Sequence, residues 1–403
     1  MNKNKLSAIA IYFVFASLLF SQVEFNGSVD FEVDYAGEDS KFITNEIVGE
    51  FRRPHLGISQ LNLFAFAPIT EEFSFNARIQ WDTWGSGKLN PARITLAMLT
   101  YESSESPLSF TIGRFISPFG LYPKRNLASD NLFAHAPLAY GYFINISEIK
   151  GFWPKAGDEG IYLSADVGLT TLYFGGYNTG AMLSWIVVPE VFNIDIAITN
   201  AAMTSQADYT NLFNGGGVIR LGFQPVIYWQ QGISAAIGSF MQKEADNFGQ
   251  DGLEKFRQLV FGTDIILAHS YFELSGEFIY SFWTVPGFAN GAFKENAAGD
   301  LGKFELENYS GYADFKIEPP FFTGSYIAFR YDILRFPEYT HPATSSIIAL
   351  NPWDYNISRY SVAIGYKLAR SVLLKLTYTD QESDNPNLGN KDYTFRGILT
   401  ISF

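Results

Sequence analysis

Hydrophobicity in this chain alternates with a period of two, over segments of about ten residues, from residue 25 to the last. In FNGSVDFEVDY, Phe25, Gly27, Val29, Phe31, Val33 and Tyr35 share one face, and Asn26, Ser28, Asp30, Glu32 and Asp34 share the other. FSFNARIQW sets Phe73, Phe75, Ala77, Ile79 and Trp81 against Ser74, Asn76, Arg78 and Gln80. FELSGEFIY, RYSVAIGYK and the C-terminal KDYTFRGILTISF repeat the pattern. Successive side chains of a strand point to opposite faces, so the period reads as β-structure. Its length excludes more. Strands of a soluble sandwich run to roughly 5–6 residues, whereas about ten is the reach of a strand tilted across a membrane.

The connections sort into two lengths. Short turns fall at FAPITEEF, YESSESP, VPEV, LAHSY, IEPPFF and KLARSV. Longer polar loops fall near 36–54, 83–92, 116–158, 201–214, 242–255, 284–303, 336–355 and 382–390. Short connections at one end and long ones at the other predict a closed, antiparallel transmembrane β-barrel, with short periplasmic turns and long extracellular loops. The segments count to about 18 strands. Patterns blur around 159–200, and about 16 also satisfies the even number that such barrels take. Aromatic residues make up 17% of the chain, and Tyr35, Trp81, Tyr101, Tyr280, Tyr331 and Tyr378 sit near strand ends. Rings with an apolar body and a polar tip belong at the two membrane interfaces. In a closed barrel the last strand pairs with the first. That predicts KDYTFRGILTISF against FNGSVDFEVDY, leaving no edge unpaired in lipid.

Lys3 and Lys5 precede the apolar run LSAIAIYFVFASLLF, which has the length of a signal-peptide core and is short for a spanning helix. Residues 1–21 are therefore read as a signal peptide cleaved after Ser21, and 22–403 as the barrel. Removing Lys3 and Lys5 takes the formal charge from −13 to −15. So acidic a chain argues against a nucleic-acid partner. The chain has no cysteine, which excludes disulfides, thiolate chemistry and Cys-ligated zinc.

The exported alternating chain, ending in Phe403 behind Leu399 and Ile401, resembles bacterial outer-membrane porin-like barrels. The resemblance implies that Phe403 is the signal read by the barrel-assembly machinery, with outer-membrane lipid around the chain and a homotrimer as the assembly usual among general porins. Within IGRFISPFGLYPKRN, the run Gly113, Arg114, Phe115, Pro118, Phe119 and Gly120 is similar to the strand-to-loop segment of the phosphate-selective porin-like group. The ladder of lysines and arginines expected of a phosphate channel is missing.

A charge turned toward lipid at mid-depth costs about 2–4 kcal/mol, so charges on the polar face should point into the lumen. That places Arg78, Arg220, Glu273, Glu277, Arg330 and Arg359 inside, together with Lys367 and Arg396. The same rule turns Asp30, Glu32, Asp34, Asp314, Asp332 and Lys375 inward. Both signs are present, which suggests a transverse field across water. The 116–158 loop is long, aromatic and partly apolar, a poor composition for full solvent exposure. It is expected to fold into the barrel mouth, and the similarity to general porins implies that it narrows the pore. Lys124, Arg125 and Asp130 would then be the constriction charges, with Arg114 on the adjoining wall.

Catalysis has little support. His55, His135, His269 and His341 are scattered without metal-ligand spacing. Glu273 and Glu277 share a face but stand about 13 Å apart, four strand residues. No metal and no cofactor is implied. The reading is a porin passing small hydrophilic solutes or ions. A plugged barrel serving as an adhesin, secretion component or scaffold would alternate in the same way and stays open as the alternative.

Overall fold

The computed structural model describes residues 23–36, 55–83, 89–149, 151–152, 168–173, 175–205, 215–241, 252–289, 292–293, 302–337, 353–384 and 391–403. The expected signal peptide lies outside these, as does most of the 336–355 loop, with His341 in it.

Sixteen strands close into one antiparallel barrel, so the lower of the two counts holds. They are β1 Glu24–Ala36, β2 His55–Pro68, β3 Phe73–Asp82, β4 Arg93–Glu102, β5 Leu108–Ile116, β6 Tyr177–Val188, β7 Phe192–Thr199 and β8 Gly216–Val226. The second half comprises β9 Trp229–Ser239, β10 Arg257–His269, β11 Phe272–Pro286, β12 Lys303–Ile317, β13 Ser325–Arg335, β14 Ile357–Ala369, β15 Val372–Ser383 and β16 Lys391–Ser402. Each strand pairs with its sequence neighbours, and the long and short connections alternate as the sequence indicates. The shortfall from 18 falls in the blurred region. Among the described residues only β6 and β7 cross there, while Leu169–Thr170 pairs with Phe143–Ile144 in a small sheet separate from the barrel strands.

The seam closes between β1 and β16, from Ser28 opposite Ser402 to Ala36 opposite Thr394. Phe403 extends it: its N–H donates to the Gly27 carbonyl at 2.9 Å, and the Gly27 N–H donates back at 2.8 Å. A Cβ on Gly27 would lie 2.5 Å from the Phe403 ring, so glycine is what lets that ring lie on β1.

Alternation sets the two faces as the sequence predicts. Asp30, Glu32 and Asp34 are buried while Phe31, Val33 and Tyr35 are exposed, and the same inversion recurs around the wall. An apolar outside and a polar inside suit a wall that faces lipid. Among the described residues no helix is long and apolar enough to cross a membrane.

Between β5 and β6 the chain turns in against the inner wall. It carries two short helical turns, Tyr122–Arg125 and Leu138–Gly141, and two small pairings, Phe143–Ile144 with Leu169–Thr170 and Ile146–Ser147 with Gly151–Phe152. Near the long-loop end this segment builds an apolar core with the wall: Phe152 packs on Phe304 at 5.4 Å, and Phe336 on Trp353 at 4.7 Å. The β9–β14 side of that end is filled by side chains.

Candidate functional site

The inward segment is mostly irregular, so its carbonyls lack the partners that a helix or ladder would supply. A buried acceptor left without a donor costs about 1–3 kcal/mol. The wall supplies donors from a row of cations. Arg220 donates to the Gly120 carbonyl at 3.0 Å, Arg330 to His135 at 3.2 Å, Arg359 to Ala136 at 3.2 Å and Arg396 to Ala134 at 3.1 Å. Lys375 reaches three carbonyls, of Ala128 at 2.8 Å, Asn131 at 2.6 Å and Phe133 at 3.3 Å.

Acids on the same wall take the segment's N–H groups. Glu277 accepts from the Leu121 N–H, from the Tyr122 N–H at 2.6 Å and from the Tyr140 hydroxyl at 3.0 Å. Asp332 accepts from the Leu138 N–H at 2.7 Å. Several cations are locked by acids as well. Arg330 meets Asp314 through two bonds of 2.6 and 2.7 Å, Arg220 meets Asp264, and Arg396 meets Asp34 at 2.7 Å and Glu32 at 2.9 Å. These side chains are inward, as alternation requires, but the segment covers them.

Two glycines of the strand-to-loop motif acquire a reason. Gly113 has φ 115°, and a Cβ there would lie 2.2 Å from the Ala97 carbonyl oxygen on β4. Gly120 has φ 70°, and a Cβ there would lie 2.8 Å from Glu277 Oε1. Both positions favour glycine on conformational grounds. The second brings the next two N–H groups onto the carboxylate.

His135 sits at the centre of the contact. Its Nε2 lies 3.1 Å from the Ser361 hydroxyl and its Nδ1 3.5 Å from that of Thr379. Burial pushes its pKa well below the ordinary histidine value, and Arg359, Arg330, Arg396 and Lys375 push it the same way. The imidazole is held neutral.

The candidate constriction residues do not converge. Arg114 is buried, with its guanidinium 5.8 Å from the Tyr177 ring centroid. Arg125 pairs with Glu273 at 2.5 Å, and Lys316 meets that same carboxylate at 3.2 Å. Lys124 and Asp130 are exposed. Lys367 keeps the inward register, paired with Leu373 two residues beyond buried Gly365, and is exposed where β14 ends beside the β14–β15 turn. Arg78 is buried, bonded to Thr95 at 2.8 Å and stacked 4.8 Å from Tyr177.

A cavity of about 150 Å³ remains between the segment and the wall of β1–β4. Asp30, Glu32 and Asp34 line it from β1, Gln60 from β2, Gln80 and Asp82 from β3, and Arg93 and Thr95 from β4. Tyr122, Asn126, Asn131, Phe133 and His135 face them from the inward segment, with Tyr173 and Tyr177 beside. Asp82 and Arg93 form an ion pair across β3 and β4. Neither was singled out as a site residue in the sequence, where each is one charge at the end of a strand. Among the described residues no group of His, Cys, Asp and Glu could hold a metal ion.

The architecture matches solved structures over nearly its whole length. An anion-selective porin from Comamonas acidovorans superimposes with a TM-score of 0.57 at 11% identity, covering 94% of this chain and 99% of that one. The fold is a porin-type barrel. OprB of Pseudomonas putida, in its high-pH structure, gives a TM-score of 0.55 at 8% identity and 96% coverage of each chain. The trimer form of in-vitro folded OmpT, an outer membrane protein of Vibrio cholerae, gives 0.53 at 8% identity, covering 94% and 99%. No protein-family model and no curated protein matches the sequence.

Proposed function

We propose that the chain is an outer-membrane channel through which small hydrophilic solutes or ions diffuse passively, and that it is not an enzyme. The observation that carries this reading is the cavity, lined by acids, amides and aromatic rings, left between the inward segment and the β1–β4 wall of a closed barrel. A lumen meant only to be filled would bring its polar wall groups into contact with the segment, as it does along β13–β16. Along β2 and β3, Gln60 and Gln80 are instead only partly covered. The short turns face the periplasm and the long loops face outward, as in barrels of this kind. The test is single-channel recording of refolded, inserted protein in a planar bilayer. Steady ohmic steps are expected. Silence from a protein shown to be inserted and folded would overturn the reading and favour a plugged scaffold.

The channel is proposed to work as a homotrimer, the form recorded for the Vibrio cholerae neighbour. The outer face supports a contact between copies. Toward the long-loop end, β11–β16 and β1 carry rings, with Tyr331 on Tyr360 at 4.9 Å and Tyr378 on Phe395 at 4.8 Å. The matching half of β2–β9 is aliphatic, with exposed Leu56, Ile94, Ile112, Ile196, Ile198 and Ile219, and Trp81 as its one ring among the described residues. A half-circumference without an aromatic girdle suits protein contact better than a lipid interface. The chain has no native cysteine, so single replacements report on this directly. Ile198→Cys should cross-link between copies and Tyr360→Cys should not.

A further inference from the structure

Several of the wall's inward cations are covered by the segment, whereas acids remain in the lining of the cavity. The cations of β8 and β13–β16 (Arg220, Arg330, Arg359, Lys375 and Arg396) all donate to carbonyls of the inward segment, which lies over them. Arg78 and Arg114 are buried against the Tyr177 ring, 4.8 and 5.8 Å from its centroid. Among the described residues the cavity is lined by four carboxylates, Asp30, Glu32, Asp34 and Asp82, against one guanidinium, that of Arg93; Glu32 and Asp34 are paired with Arg396. Lys124 and Asp130, though exposed, are not in its lining.

A second feature points the same way. The cavity is also lined by Tyr122, Phe133, Tyr173 and Tyr177. Two of these rings already hold cations of the protein's own: Arg330 lies 4.3 Å from the Phe133 centroid, and Arg78 lies on Tyr177. The face of an aromatic ring attracts a cation, and more strongly where water is scarce. A carboxylate-lined narrowing with low-dielectric walls concentrates cations and repels anions of equal size.

We propose that the passage selects small cationic solutes, organic ammonium ions included, over anions of the same size, with Asp30 and Asp82 as its principal determinants. This rests on the channel reading above. Asp30 accepts a hydrogen bond from Thr400 at 2.6 Å and has no ion pair with a wall cation among the described residues. Asp82 restrains Arg93, the one cation in the lining among the described residues. Losing Asp82 would therefore remove a negative charge and release a positive one.

The experiment is the reversal potential of the full-length refolded protein in a planar bilayer under a KCl gradient. It is run for the wild type and for Asp30→Asn combined with Asp82→Asn. The wild type should favour K⁺ over Cl⁻ by about threefold or more near 0.1 M salt, where screening reaches about 10 Å. The ratio should shrink toward one near 1 M, where screening reaches about 3 Å. The double variant should fall to one or below at the lower salt. A wild type that favours Cl⁻, or a conducting double variant with an unaltered ratio, overturns the proposal. Should the double variant fail to fold, the wild type decides alone: a preference that does not weaken with salt overturns it too. Complete absence of conductance is a different failure, because it removes the channel reading itself.

Discussion

Lys375 holds three carbonyls of the inward segment with one ammonium group, so replacing it by methionine tests how that segment is tied down. The substitution keeps the length of the stem and removes the charge. Three bonds are lost, at 2.8, 2.6 and 3.3 Å. A net contribution of about 1 kcal/mol for each is a low value for bonds to a charged donor. The low value is apt, because the variant also escapes the desolvation cost of a buried ammonium. The docked segment should then lose about 3 kcal/mol, roughly two orders of magnitude in the population of its released form at about 1.4 kcal/mol per tenfold. Trypsin reads that population. Lys124 and Arg125 lie within the segment, and the protease is too large to reach them until the segment leaves the lumen. When opening is fast relative to cutting, the rate follows the open population. Cleavage between residues 124 and 126 should rise about a hundredfold in Lys375→Met, with the barrel still migrating as a folded species on unheated gels. A rate within about threefold of wild type, in a folded barrel, would refute the idea that these bonds fix the segment.

Three further outcomes are expected. His135 has its pKa depressed in the docked state, so the released segment binds the extra proton. Docking is therefore at full strength above the ordinary histidine pKa of about 6.5 and weakens below it, by up to about tenfold per pH unit. Trypsin cleavage, normalised to a reference peptide, should rise on going from pH 7.5 to 5.5, and His135→Gln should show a smaller rise; equal slopes would exclude His135. Gly120→Ala places a Cβ 2.8 Å from Glu277 Oε1 at a backbone φ of 70°. It should loosen Leu121 and Tyr122 and raise open-channel noise in bilayer recordings while thermal unfolding of the barrel stays near wild type. Deleting Phe403 removes both hydrogen bonds to Gly27 and the ring on β1. The folded fraction in outer-membrane preparations should drop severalfold, and an unchanged fraction would separate this residue from barrel closure.

Most of the barrel was legible from period two alone, because each strand carries its own record of which face is wet. Asp30, Glu32 and Asp34 were assigned inward from one eleven-residue stretch, and the structure buries all three. Strand number was less secure around 159–200. Apolar residues such as Leu169 and Leu172 pack within the inward segment there and leave no alternating trace. Lys367 shows another limit: alternation puts it on the inward face, yet it stands exposed at the strand end, because a period of two records the face and not the depth.

Sequence by itself determined the inside and outside of the wall, the end that carries long loops, and the pairing of the last strand with the first. All three follow from alternation and connection length, which are local. Tertiary structure alone decided which inward charges meet water. Arg330 and Asp82 are equivalent in the alternation, yet one is covered by the His135 carbonyl and the other lines the cavity. That distinction depends on where an irregular segment lies after it leaves β5. Its carbonyls need donors, and the donors come from strands some 100 to 260 residues away in the chain. No local pattern records contacts that far apart.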